Sequence, residues 1–265
     1  MTVELKRVTS SDPLAVGQAI TSVISDDGDE LHAELVARAQ GARRVGFTGP
    51  PGVGKSTLVA ALGRGLVERE QSLAVVACDP VSPYSGGAFL GDRVRLAGCR
   101  LAGESRIFFR SVACRDSGGV AREATRAADV LDAAGYPWIF LETVGVGQSE
   151  LAIRDVVDTV VVVLTAELGD EMQLMKAGIL EIADIVVLNR CDRGGAEKYR
   201  EILAERFSAS SSRAHGWTPE IVLTEATRGQ GVEHLLAALE RHAAFREKST
   251  TREGKNTNEN TEVSS

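Results

Sequence analysis

Gly49-Pro50-Pro51-Gly52-Val53-Gly54-Lys55-Ser56-Thr57 is the stretch on which the reading of this chain turns. It fits G-x-x-x-x-G-K-[ST], the pattern of a loop that wraps phosphate groups. Glycines let successive backbone N–H groups curl toward an anion without Cβ clashes. A helix opening near Lys55 points the positive end of its dipole at the same anion. Lys55 adds a point charge for the β- and γ-phosphates, and the Ser56 hydroxyl is a Mg²⁺ ligand of the right hardness. The bland alternative is a Gly/Pro turn before a surface helix. The context argues against it, because an apolar run, Val45–Thr48, precedes the loop and a helically spaced series follows. Gly49, Pro51, Gly52, Val53, Gly54, Lys55, Ser56 and Thr57 are therefore expected to contact nucleotide, with Lys55 also acting in catalysis.

Outward from this loop, short β-branched runs alternate with helical stretches. The runs are Val45–Thr48, Leu73–Cys78, Ile107–Val112, Trp138–Leu141, Val160–Leu164, Ile185–Leu188 and Ile221–Leu223. Helices are expected near 56–70, 119–134, 148–157, 170–183, 195–208 and 230–245. Continuous apolar strands separated by helices predict an α/β fold with a mostly parallel central sheet covered on both faces. Before it, residues 1–42 read as a short helical extension, with Asp12 as N-cap and Pro13 at the first helical position. Residues 43–246 form the nucleotide-binding domain, and 247–265, almost devoid of apolar residues, read as a disordered tail.

Composition narrows the function classes. The formal charge is −7 with no long basic run, which disfavours nucleic acid as a partner. No apolar run is long enough to cross a membrane, and the N-terminus lacks a signal-peptide core. Cys78, Cys99, Cys114 and Cys191 lack C-x-x-C spacing and read as reduced thiols of a cytoplasmic protein.

Two strands end in acids. Leu73–Asp79 closes on Asp79, and Trp138–Glu142 on Glu142, followed by Thr143-Val144-Gly145. Ligands of open α/β sheets sit beyond the carboxyl ends of the strands. Either carboxylate could hold Mg²⁺ directly or through water, and the Gly145 N–H could sense a γ-phosphate. One such acid alone reads as a helix cap as readily as a ligand. Two beside a phosphate loop shift the balance to the metal. A third strand ends Asn189-Arg190-Cys191-Asp192. A carboxylate here accepts from the N1–H and 2-amino group of guanine, a donor pair adenine lacks, and leaving it unpaired is costly. Asn-Lys-x-Asp is the usual form. Arg190 replaces the lysine, keeping a long aliphatic stem that can cover the base and adding a planar head that can stack on it.

Three further segments resemble the MeaB/ArgK-type GTPases, bacterial relatives of the human methylmalonic aciduria type A protein. They are Asp79–Arg93, Glu142–Glu150 and Gly169–Asp184, in register with the phosphate loop and Asn189–Asp192 over about residues 40–245. The resemblance implies a GTPase chaperone of adenosylcobalamin-dependent acyl-CoA mutases, which gates cofactor delivery and protects or reactivates the mutase, with hydrolysis stimulated by that partner. GTP or GDP and Mg²⁺ would be its ligands. Asp92, beside Gly91, would sit in a first switch near Mg²⁺, Glu142–Glu150 would form a second, and Asp170–Lys176 a third that relays nucleotide state to the mutase. Asp92, Glu142 and Gln148 are all candidates for ordering the attacking water. The family's Ser-Ala-Leu base-contact loop appears as Glu225-Ala226-Thr227, leaving the Ala226 N–H to reach the guanine oxygen. The family's C-terminal dimerisation arm is missing from the expected domain, so a homodimer would need another mode. Two other readings stay open: a nickel-insertion GTPase, which would need a Cys/His cluster near the nucleotide, and a transport-linked ATPase or kinase, which Asn189 and Asp192 disfavour.

Overall fold

The structure, a computed structural model, describes residues 5–25, 27–80, 105–114, 117–143, 149–166, 178–209 and 216–262; the side chains of residues 80, 117–121, 149, 150, 209 and 250–262 lie outside that description. Three N-terminal helices, α1 (Leu5–Thr9), α2 (Pro13–Ile24) and α3 (Asp29–Val36), lead into β1 (Arg43–Thr48) and α4 (Lys55–Glu68). Then come β2 (Leu73–Pro80), β3 (Ile107–Cys114), α5 (Ser117–Ala133), β4 (Trp138–Thr143), the one-turn α6 (Ser149–Ala152) and a 3₁₀ turn, Ile153–Asp155. The chain continues through β5 (Thr159–Thr165), β6 (Ile185–Asn189), a second 3₁₀ turn (Cys191–Arg193), α7 (Ala196–Ala209), β7 (Glu220–Thr224) and α8 (Val232–Glu262).

The seven described strands form one sheet in the order β3-β2-β4-β1-β5-β6-β7. Each neighbouring pair is parallel. All seven expected runs become strands. Every residue of β4, β5 and β6 is buried, which is why these segments are apolar throughout instead of alternating. Alternate residues feed two cores. On one face Ile139, Leu141, Val160, Val162, Val186 and Leu188 pack under α2, α5 and α7. On the other Phe47, Phe140, Val161, Val163, Ile185 and Val187 pack under α4 and α8.

The N-terminal helices contribute Val8, Val16, Ile20, Val23 and Leu35 to the first core. Asp12 caps α2 as its Asp-Pro start implies, Oδ1 accepting from the Leu14 and Ala15 N–H groups at 3.0 and 3.3 Å. The expected helix over 170–183 is only partly described: 178–181 form turns, and 167–177 lie outside the described residues. α8 continues through Glu262, over the stretch that composition assigns to a disordered tail. A helix already nucleated by its packed first turns extends without a second nucleation step, which composition alone does not register. No described helix is long and apolar enough to cross a membrane.

Candidate functional site

The loop Gly49–Gly54 leaves β1 at the carboxyl end of the sheet, where the order turns back on itself: β2 and β3 lie beyond β4 on one side, β5 to β7 on the other. Two glycines are structurally required. Gly49 has φ 136°, and a Cβ there would stand 2.2 Å from the Val163 carbonyl oxygen of β5. Gly54, at φ 96°, is the N-cap of α4, and a Cβ would meet the Asn189 amide nitrogen at 2.5 Å. Lys55 opens α4 and is buried. Its ammonium donates to the carbonyls of Gly49 and Pro50 at 2.7 and 2.9 Å, bracing the loop from within. Pro51, Gly52 and Thr57 are exposed, and Val53 is fully buried.

Ser56 and Glu142 come together. The Ser56 hydroxyl donates to Glu142 Oε1, across the gap between α4 and β4. Glu142 and Asp79 are both buried at the ends of neighbouring strands, Glu142 pairing in register with Ala77 and, on the other side, with Phe47. Thr143 follows, its hydroxyl near the Thr48 hydroxyl at 3.3 Å. Hydroxyl and carboxylate oxygens are the donors a small hard cation takes, so this donor set fits Mg²⁺. Of the other expected residues, Asp92, Gly145, Gln148 and the segment Asp170–Lys176 lie outside the described residues.

At the other end, Asn189 closes β6 and is buried. Its Nδ2 donates to the Val53 carbonyl at 2.8 Å, while its Oδ1 accepts from the Thr224 hydroxyl and the Ala226 N–H, both at 3.1 Å. One amide thus ties the phosphate loop, β7 and the loop after β7 together, a bracing role its spacing to Asp192 did not announce. It also engages the Ala226 N–H that was expected to reach the guanine oxygen. Arg190 takes φ 58° and donates from Nη2 to the Gly52 carbonyl at 2.5 Å. Its head is directed at the phosphate loop. Asp192 is exposed in the 3₁₀ turn. Glu225 is buried, its carboxylate 3.2 Å from Arg228 Nε, with the Thr227 hydroxyl at 3.5 Å. Arg228 entered no reading of the sequence; only its i+3 spacing from a buried acid could have flagged it.

The three described cysteines are free. The Cys78 thiol beside it, together with burial, pushes the Cys114 thiol up, while burial and then the Asp192 and Glu225 carboxylates raise Cys191. Cys78 and Cys114 are packed in the core, and Cys191 is half-buried. Among the described residues no group of three His, Cys, Asp or Glu side chains is placed to hold a metal.

The sequence model of the family described as methylmalonyl-CoA mutase-associated GTPase MeaB matches residues 16–264. The chain belongs to the MeaB family. A Pyrococcus abyssi protein named as a GTPase is 41% identical over 250 residues, covering 92% of this chain and 76% of its own length. The mitochondrial methylmalonic aciduria type A homolog of Mus musculus is 40% identical over 212 residues, 77% of this chain and 51% of its own length. Among solved structures, a LAO/AO transport system kinase superposes with a TM-score of 0.69 at 24% identity, covering 98% of this chain and 83% of its own. HypB of Helicobacter pylori, solved with nickel, gives 0.51 at 16% identity, covering 84% and 94%. At those identities the structures speak for the fold alone. Like its MeaB relatives, this chain is a P-loop GTPase that binds guanine nucleotide and hydrolyses GTP.

Proposed function

We propose that this MeaB-family GTPase uses its nucleotide state to gate adenosylcobalamin delivery to an acyl-CoA mutase and to protect or reactivate that enzyme. The observation that carries the reading is the family match over residues 16–264, supported by the name of the mouse relative. The partner is methylmalonyl-CoA mutase or a related subtype.

Within the site, the backbone N–H groups of the Gly49–Gly54 loop and the amino end of α4 hold the phosphates. The Lys55 ammonium exchanges its two loop carbonyls for β- and γ-phosphate oxygens, a short swing for a side chain already seated there. Ser56, Glu142 and Asp79 hold Mg²⁺, directly or through water. When bound, that ion neutralises charge on the phosphate oxygens. Asp192 reads the N1–H and 2-amino group of guanine. Asn189 and Arg190 set the distance between base and phosphates through Val53 and Gly52. Asp92 and Gly145 complete the metal and γ-phosphate contacts, and Gln148 or Asp92 orders the attacking water; in this reading Glu142, whose carboxylate accepts from Ser56, serves the metal.

The test mixes purified chain with apo-mutases of several acyl-CoA subtypes, cobalamin and either GTP or GDP. The expected result is faster GTP turnover with one mutase and cofactor loading that depends on the nucleotide. Unchanged turnover and nucleotide-independent loading with every subtype would overturn the reading while leaving the GTPase assignment intact.

A further inference from the structure

Far from the nucleotide, at the starts of the strands, α8 meets the sheet through one buried histidine that the GTPase chemistry does not use. His242 is 2% exposed. Its Nδ1 lies 2.8 Å from the Thr159 hydroxyl at the start of β5, and its Nε2 lies 3.6 Å from Asp184 Oδ1, just before β6. Trp217 packs edge-on against the ring at 4.8 Å, and Phe245 stacks at 6.3 Å. Asp184 also serves other donors, through its second oxygen. Its Oδ2 already accepts from Arg154 at 2.6 Å and from the Val160 N–H at 2.8 Å.

Cations face this point from two elements, Arg154 on the 3₁₀ turn after α6 and Arg246 one turn on along α8, the latter 3.7 Å from Asp158. Burial, against the opposing pull of Asp184 and Asp158 and with the help of Arg246 and Arg154, holds the imidazole below its ordinary value of 6.5. A group depressed in the folded state favours folding fully above its unfolded value and loses that contribution as pH falls from there through its lower folded value.

The same helix backs the nucleotide site. α8 starts at Val232, a short turn after the Glu225–Thr227 loop. It packs against α4, where a Cβ on Gly65 would meet Leu236 at 3.0 Å, and Arg69 at the end of α4 bonds Glu233 and, at 2.9 Å, Glu240.

We propose that the His242 joint is an acid-sensitive latch: protonation frees α8 from the base of the sheet and thereby loosens the hold of α4 and the 225–227 loop on guanine nucleotide. Acidification acts at the end of the sheet away from the phosphates, and the helix carries its effect along to them.

The full chain is compared with His242→Asn, which keeps an acceptor for the Thr159 hydroxyl and cannot be charged. Amide exchange of residues 234–247, corrected for intrinsic rate, is followed from about pH 7.5 to about pH 5.5, with the GDP dissociation constant measured in parallel. In the wild type, exchange in this segment rises severalfold, toward the ceiling of about tenfold that one histidine can supply over this span, while β4 stays protected, and GDP weakens about threefold; the variant shows neither change. The wild-type chain alone provides a second measurement: NMR titration of His242, with Trp217 fluorescence quenched as the imidazolium forms. Titration of His242 at or above its ordinary value, helix exchange equally pH-dependent in wild type and variant, or helix release with GDP affinity unchanged would each overturn the proposal.

Discussion

The phosphate end and the base end of the nucleotide site are held by different means. At the phosphate end the scaffold is chiefly backbone: two glycines at positive φ, one against a neighbouring strand's carbonyl, and a helix amino end, with the Lys55 ammonium bracing two loop carbonyls. At the base end the scaffold is side chain: the Asn189 amide with three hydrogen bonds and the Arg190 guanidinium with one. The first is fixed as soon as the sheet forms. The second depends on individual groups that substitution can remove one at a time. The difference teaches where tolerance lies: backbone scaffolds fail outright when a Cβ is added, whereas side-chain scaffolds lose affinity in steps.

The contrast predicts its largest effect at Gly49. Gly49→Ala puts a Cβ against the Val163 carbonyl and should cost about 3 kcal/mol or more of stability, as strain at a forced positive φ compounds a backbone clash. Thermal unfolding measures it; a melting temperature within a degree or two of wild type would show that the loop has a second way to leave β1. Next is Lys55→Ala. The fold should survive, and GTP affinity should fall roughly a hundredfold or more with the loss of a charged hydrogen-bonding partner of the phosphates. Calorimetry on a folded variant showing wild-type affinity would remove Lys55 from the site.

The base end should yield smaller and separable losses. Asn189→Ala removes a buried amide and strands the Val53 carbonyl and Ala226 N–H, costing about 2–3 kcal/mol shared between stability and GTP affinity. Asp192, being exposed, should behave differently: Asp192→Asn costs about 1–3 kcal/mol in GTP affinity, leaves stability alone and relaxes the preference for GTP over ATP. Equal selectivity in variant and wild type would mean that guanine is read elsewhere. Smallest of all, ending the chain after Glu247 should leave the melting temperature nearly unchanged, because residues 248–262 offer almost no apolar surface to bury. A large drop would show that the end of α8 docks.

The sheet was legible because its strands are apolar without interruption and bounded by helical spacing, a signal that survives in a single sequence. The phosphate loop was legible because its chemistry is compressed into nine consecutive residues. Asn189 was found for its spacing to Asp192, and its bonds to Val53, Thr224 and Ala226 were not foreseen, since they join segments far apart in the chain. The same holds for Ser56 with Glu142, where residue types suggested two candidate ligands but not their mutual hydrogen bond. His242 gave no signal at all: an isolated histidine in a helical stretch acquires meaning only once β5, Asp184 and Trp217 surround it. The extension of α8 escaped notice for the opposite reason, because propagation from a helix already nucleated leaves no apolar pattern to read.

The position of β1 in the sheet bears on how the protein is made. The strand that carries the phosphate loop pairs with β4 and β5, Arg43 lying beside Trp138 and Val45 beside Thr159. A ribosome delivers β1 long before either neighbour. Until β5 has emerged, Gly49 lacks the strand it abuts, and until β6 and β7 follow, Asn189 cannot brace Val53. The nascent chain therefore passes through most of its synthesis with its signature motif already present and unable to grip a nucleotide, its folding governed by contacts of long sequence separation. GTP capture by the growing polypeptide would mark the moment at which translation has passed the Glu225–Thr227 loop.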